Sequence, residues 1–293
     1  MTIAIRRIQL GCILLAVLSL TLTSLPADAR SSRSGSKPRL PSASAVSFET
    51  LRDGDVELDV IKIDLRRARL RLLWKRPSGP EKGAPFSTPR AAFDWLKSQG
   101  ESPMAVMNAG IYGLDNQPLG LHVENGVELH PLDRGKGAGN FYLEPNGVFH
   151  IGPDGAGIHE TAAYAAWPGR SKVQLATQSG PLLLIDGQIH PRFLNDSKSA
   201  LVRNGVGVVN AKQLVLVISR RGINFFRFAQ FFRDQLGCRD ALYLDGNISR
   251  LHAPKWGRSA DGVLASLLGE GHFVGLLAVL PLAGKGSSHH HKP

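Results

Sequence analysis

The sequence predicts an α+β fold in a single domain, with mixed or antiparallel β-sheets flanked by two main helices. Three observations carry this expectation. Short apolar runs sit between glycine, proline and asparagine turns along most of the chain, only two segments have convincing helical periodicity, and no fixed-period repeat or heptad pattern is present.

The elements follow in order. Val56 to Ile63 and Arg69 to Trp74 alternate or run apolar between turn signals, and read as paired strands at the start of the domain. Thr88 caps a helix that has Pro89 in its first position, Ala92, Phe93 and Leu96 on one face, and Gly100 past its end. Proline fits there because the first helical turn leaves its N–H groups unbonded anyway. Met104 to Asn108 is a short strand giving way to a glycine-bearing loop at Asn108. Gly120 to Val123, Phe141 to Leu143, Val148 to Ile151 and Val173 to Thr177 make the middle of the chain β-rich. Leu182 to Ile185 runs into Asp186-Gly187, a two-residue hairpin signal, and Val206 to Val209 and Leu214 to Ile218 flank a turn at Asn210 to Lys212. The second helix begins near Asn224. Phe225, Phe228, Phe232 and Leu236 recur at helical spacing, the charged Arg227, Arg233 and Asp234 lie elsewhere on the wheel, and Gly237 stops it. Such an aromatic stripe reads as core packing. The apolar strand Ala241 to Leu244 then ends at Asp245-Gly246-Asn247.

The N-terminus has the layout of a secretory leader: Arg6 and Arg7, the uncharged apolar stretch Leu10 to Leu22, and the small-x-small site Ala27-Asp28-Ala29. Ile8 to Leu25 comes close to the ~18 residues of a spanning helix, so an uncleaved anchor is the competing reading. The expected organisation is a signal peptide at 1–29, a disordered basic Ser/Pro-rich linker at 30–47, a folded domain at 48–282 and a disordered His-containing tail at 283–293. A periplasmic or secreted location follows. Cleavage removes Cys12 and leaves Cys238 as the sole cysteine, so no intramolecular disulfide is expected. The remaining chain of roughly 260 residues is long enough to bury a substantial core without one. Phe273 to Leu282 is too short to span a bilayer, so no stable membrane span is expected after cleavage. The formal charge of +11 draws partly on Arg30, Arg33, Lys37 and Arg39 of the linker. In an exported protein it suits a phosphorylated or anionic glycan, whereas nucleic acid is not an expected partner in that compartment. A solvated charge excess accounts for the same number.

The sequence lacks GxxxxGK[ST], paired-cysteine zinc spacing, HExxH and GxSxG, which removes support for nucleotide hydrolysis, zinc proteolysis and a serine nucleophile elbow. His122, His130, His150, His159, His190 and His252 have no ligand spacing, so no metal set is expected. Four segments instead place polar groups and glycines at strand ends: Met107 to Tyr112, Thr177 to Pro181, Arg203 to Gly207, and Tyr243 to Ser249. An ordinary turn accounts for any one of them.

Together, in this order, they resemble the phosphodiester glycosidase domain family, typified by the lysosomal uncovering enzyme, and most closely its exported bacterial branch. The likeness spans about residues 50–282. It includes Asn108-Ala109-Gly110 followed by Ile111 and Tyr112, the turn Pro118-Leu119-Gly120, and Gln178-Ser179-Gly180-Pro181. It continues with Arg203 ahead of Gly205-Val206-Gly207, then Leu236-Gly237-Cys238 and a leucine-rich strand into Asp245-Gly246. Where the family commonly reads Asp-Gly-Gly-Gly-Ser, this chain has Asp245-Gly246-Asn247-Ile248-Ser249, which adds two side chains where a ligand would approach.

The resemblance implies an exported hydrolase that cleaves the glycosidic C–O bond of a sugar-1-phosphodiester. The leaving group there is a phosphate monoester with a second pKa of about 6, so a proton donor matters less than in ordinary two-carboxylate glycoside hydrolysis. On that basis Asp245 is the expected carboxylate that attacks the anomeric carbon, activates water or steadies the oxocarbenium-like transition state. Arg203 is the expected bidentate phosphate ligand. Asn108 and Ser179 would bond sugar hydroxyls or phosphate oxygens, Gly110, Gly180 and Gly246 would allow close backbone approach, and Tyr112, Asn247 and Ser249 would complete the binding set. No cofactor is expected. A divalent cation bridging Asp245 and phosphate is compatible with the motif, although no ligand cluster demands it. The alternative is a non-catalytic binder that holds an anionic envelope glycan in the same cleft.

Overall fold

The computed structural model describes residues 44–86, 88–113, 115–246, 248–259 and 273–282. The expected leader, nearly all of the linker and the His-containing tail lie outside them. In chain order the elements are β1 (Val46–Asp53), β2 (Val56–Asp64), β3 (Ala68–Leu73), α1 (Pro89–Ser98), β4 (Ala105–Asn108), β5 (His122–Glu124), β6 (Val127–His130), β7 (Gly147–Gly152), β8 (Gly155–Glu160) and α2 (Thr161–Ala166). There follow β9 (Leu175–Ser179), β10 (Leu182–Ile185), β11 (Gln188–Ile189), β12 (Asn204–Asn210), β13 (Gln213–Ser219), α3 (Phe225–Asp234), β14 (Asp240–Asp245), β15 (Leu251–Ala253), β16 (Arg258–Ser259) and β17 (Leu276–Pro281).

The strands form one seven-stranded sheet, β1-β2-β13-β12-β14-β10-β11, and two five-stranded sheets, β16-β15-β4-β17-β3 and β6-β5-β9-β7-β8. All the pairings in them are antiparallel. Side-chain alternation sorts residues between two cores. Leu214, Leu216 and Ile218 of β13 face a cluster shared with Met107, Leu277 and Phe149 of the smaller sheets, while Val215 and Val217 face Phe228, Phe231 and Phe232 of α3. The large sheet is thus covered by α3 on one face and by both smaller sheets on the other. On the far side, α1 buries Ala92, Phe93 and Leu96 against Val106 and Leu276, and Tyr164 of α2 packs with Val148 and Ala176.

Both expected helices form, α1 with its expected Thr88 cap and α3 from the expected start near Asn224. Thr88 Oγ1 accepts from the Ala91 N–H at 3.0 Å, and Asn224 Oδ1 accepts from the Arg227 N–H at 2.9 Å; each cap is worth about 1 kcal/mol. Asp186 (φ 49°) and Gly187 (φ 77°) make the expected tight hairpin.

Several details differ. The expected pairing of Val56–Ile63 with Arg69–Trp74 does not form: β2 pairs with β1 and β13, whereas β3 pairs with β17 in another sheet. Alternation shows which face of a strand is buried, but not which strand lies at its edge. β1 starts at Val46, so the last two residues of the expected linker are strand. Phe141 to Leu143 is not a strand; Asn140–Tyr142 is a 3-10 turn that buries Phe141. A third helix, α2, is capped by Glu160, whose Oε2 accepts from the Ala162 and Ala163 N–H groups at 2.9 and 3.0 Å. Six residues are too few to show helical periodicity in sequence.

Candidate active site

The site lies where the three sheets meet. Asn108 is the last residue of β4, Ser179 the last of β9 and Asp245 the last of β14, while Asn204 opens β12 beside Asp245. Each sheet therefore contributes a strand end, at the point where backbone leaves its ladder and polar side chains can turn toward one another.

Asp245 is the centre. Asn108 Nδ2 donates to its Oδ2 at 2.5 Å, and the Gly246 N–H donates to its Oδ1 at 2.6 Å. The orientation of the Asn108 amide is determined by its other contacts. Its Oδ1 accepts from Asn204 Nδ2 at 3.0 Å and from the Arg250 N–H at 2.7 Å, so its NH2 must face the carboxylate. Asn204 Nδ2 also reaches the Asn108 carbonyl at 2.8 Å, while Asn204 Oδ1 is buried with no hydrogen-bond partner among the described residues. Asn108 is 1% and Asp245 8% exposed. Burial raises the Asp245 pKa to about 7, against the pull of the Gly246 and Asn108 donors and the charge of Arg250. Tyr112 is half-buried, and its hydroxyl pKa is raised by burial and then by the Asp245 charge.

Other expected site residues support this centre indirectly. Ser179 Oγ donates to the Leu244 carbonyl at 3.3 Å, tying β9 to β14 one residue before the carboxylate. Ser249 closes the turn after Asp245: its N–H bonds the Gly246 carbonyl at 2.7 Å, and its hydroxyl lies 2.5 Å from that oxygen and 3.2 Å from the Asp245 carbonyl. The three glycines meet the chain's own atoms. Gly110 has φ +97° with Thr177 Oγ1 close by, a Cβ at Gly180 would stand 2.5 Å from the Phe141 carbonyl oxygen, and one at Gly246 would stand 2.5 Å from the Tyr243 hydroxyl. Asn247 lies outside the described residues.

Arg203 departs most from expectation. It is 0% exposed. Its Nε donates to the Ile223 carbonyl at 2.7 Å, its Nη2 donates to the Ser199 carbonyl at 3.0 Å, and its guanidinium carbon lies 3.6 Å from the Phe225 ring centroid. Burial lowers its pKa. Two of its five N–H donors are engaged by carbonyls, and Nη1 has no hydrogen-bond partner among the described residues. At 0% exposure the side chain presents none of these donors at the surface in this arrangement. Arg203 lies instead beneath Tyr243, whose ring centroid is 5.5 Å away and whose hydroxyl underlies Gly246.

Two residues join the network without having been singled out in sequence: Asn204, next to Arg203, and Arg250, one position beyond the last motif. Strand alternation was the available signal for Asn204, because neighbours at a strand end face opposite sides. Among the described residues no group of three or more His, Cys, Asp and Glu could hold a metal, and no helix is long and apolar enough to cross a membrane.

Over 202 residues, 69% of this chain and 76% of the relative, the sequence is 34% identical to YigE, an uncharacterised protein of Escherichia coli (strain K12). The fold matches the catalytic domain of zebrafish N-acetylglucosamine-1-phosphodiester alpha-N-acetylglucosaminidase, auto-inhibited by its pro-peptide, with a TM-score of 0.52 and 16% identity over 80% of this chain and 81% of that one. A hypothetical protein from Synechocystis aligns with a TM-score of 0.49 and 14% identity over 80% of this chain and 62% of that one. Residues 102–253, which contain Asn108, Ser179, Arg203 and Asp245, match the profile of the phosphodiester glycosidase (NAGPA) family, and the chain belongs to that family.

Proposed function

We propose that this chain is an exported hydrolase that cleaves the glycosidic C–O bond of a sugar-1-phosphodiester in a phosphate-linked glycan or envelope polymer, with Asp245 as the catalytic carboxylate. The observation that carries this reading is the placement of Asp245 between the Asn108 amide and the Gly246 N–H, with a pKa of about 7. A carboxyl group of that pKa is present in both forms near neutrality. Its ionised form faces the anomeric carbon as the C1–O bond breaks, water supplies the new C1–O bond, and the departing phosphate monoester needs no strong acid to leave. Asn108 and Gly246 hold the two carboxylate oxygens, Asn204 and Arg250 hold Asn108, and Tyr112 lines the approach. Arg203, Ser179 and Ser249 act as positioning residues for the strand end and turn that carry Asp245.

The leader at residues 1–29 supports export to the periplasm or beyond, where phosphorylated or other anionic glycans are the substrate class. The test incubates the purified chain with sugar-1-phosphodiesters, beginning with one of N-acetylglucosamine, and measures reducing sugar together with phosphate monoester. The wild type releases both in equal amounts, and Asp245→Asn binds the diester without turning it over. Undiminished turnover by that variant would remove Asp245 from the mechanism. A wild type that binds such diesters and cleaves none would instead be a non-catalytic glycan binder.

A further inference from the structure

We propose that Arg250 is the guanidinium that recognises the ligand's anionic group, a phosphate ester, at the Asp245 site. The inference rests on the phosphodiester reading for the identity of that anion. It concerns a residue outside the four segments that carry the family resemblance, and it moves the recognition of phosphate from the sealed Arg203 to a second arginine.

Arg250 is locked onto the site through its backbone. Its N–H donates to Asn108 Oδ1 at 2.7 Å and its carbonyl accepts from the Asn108 N–H at 3.2 Å, the same asparagine whose amide holds Asp245. Arg250 as a whole residue is 9% exposed. Its one side-chain hydrogen bond among the described residues runs from Nη1 to the carbonyl of the neighbouring Ser249, at 3.0 Å, and no carboxylate among them lies within ion-pair distance.

A buried cation without a counter-ion is costly. Other arginines among the described residues that meet buried groups have recognisable partners. Arg220 and Arg258 both pair with the buried Asp59, and Arg203 bonds two carbonyls and stacks on Phe225. Among the described residues Arg250 has neither arrangement, and its charge is a minor one of the influences that lower the Asp245 pKa against burial. A cation beside a reactive carboxylate, held by backbone rather than by an acid partner, is suited to an anionic ligand that arrives from outside. A guanidinium offers phosphate two parallel N–H donors, and bound phosphate would in turn neutralise it.

The experiment titrates inorganic phosphate, as a stand-in for the leaving group, into the full chain by calorimetry, using wild type, Arg250→Lys and Arg250→Gln. Wild type binds. Arg250→Gln weakens binding at least about tenfold, and Arg250→Lys, which keeps the charge and loses the planar fork, falls between them. A second readout is independent of binding. Tyr112 and Tyr243, which also feel the Asp245 carboxyl, stay neutral near pH 7 because their pKa values are raised, so removing the Arg250 charge moves the Asp245 titration midpoint upward. Equal phosphate affinity in wild type and Arg250→Gln, or no phosphate binding by wild type, overturns the inference. Should Arg250→Gln fail to fold, Arg250→Lys decides: a several-fold loss of phosphate affinity supports the inference, and unchanged affinity overturns it. The two readings separate cleanly. Phosphate binding through Arg250 without diester turnover defeats only the hydrolase assignment, and turnover with phosphate affinity indifferent to residue 250 defeats only the role of Arg250.

Discussion

Replacing Asp245 by Asn should change how stability depends on pH. In the folded protein this carboxyl has a pKa of about 7, against an ordinary 3.8, because burial disfavours its charge. The folded state therefore keeps the proton that the unfolded chain releases. By linkage, the group's contribution to stability is fully present below about pH 4 and is lost as pH rises through about 7. A gap of roughly three pH units, at about 1.4 kcal/mol for each, makes the loss about 4 kcal/mol. An asparagine has the shape of the neutral acid and cannot ionise, so Asp245→Asn should escape this loss. It still leaves one of the two donors, Asn108 Nδ2 or the Gly246 N–H, facing an NH2 group, a mismatch that costs about 1–3 kcal/mol but does not vary with pH. The assay is urea unfolding of both proteins at intervals from about pH 4 to about pH 8, with the stability difference plotted against pH. That difference should shift in favour of the variant by about 4 kcal/mol across the range and level off above the folded pKa. Tyr112 and Tyr243 do not confuse the window, since both titrate above their ordinary value of 10. A difference that stays flat with pH would show that the Asp245 carboxyl is not desolvated, and would remove the argument for its poised pKa.

Three further outcomes follow from the packing. Burial, and then the charge of His159, lower the His150 pKa to about 3. The unfolded chain therefore takes up the proton first, stability declines as pH falls below about 6.5, and His150→Gln should flatten that decline in the same urea series. Gly180→Ala drives a Cβ to 2.5 Å from the Phe141 carbonyl oxygen and 2.7 Å from the Asn146 Cβ. It should cost about 1–3 kcal/mol in thermal or urea unfolding and lower diester turnover by displacing Ser179. Arg203→Met should lose about 2–4 kcal/mol by leaving the Ile223 and Ser199 carbonyls without their donor; undiminished stability with weakened phosphate binding would restore Arg203 as a phosphate ligand.

Sequence by itself determined the local features. The Thr88 and Asn224 caps, the aromatic face of α3 and the Asp186-Gly187 hairpin were legible because each depends on residues within a few positions of one another. The family membership was legible for a related reason, since Asn108, Gln178-Ser179-Gly180 and Asp245-Gly246 each lie within a short segment. Tertiary structure alone decided which strands pair, because alternation names a buried face and leaves the hydrogen-bonding edge undetermined. That is why β3 pairs with β17, more than 200 residues later in the chain, and not with β2. It likewise decided the division of labour between arginines. Arg203 stands in a recognisable motif but is sealed against Phe225, while Arg250 stands outside the motifs and shares Asn108 with the carboxylate. Burial and the direction of a long side chain are set by three sheets meeting at one point, and no short stretch of sequence contains that information.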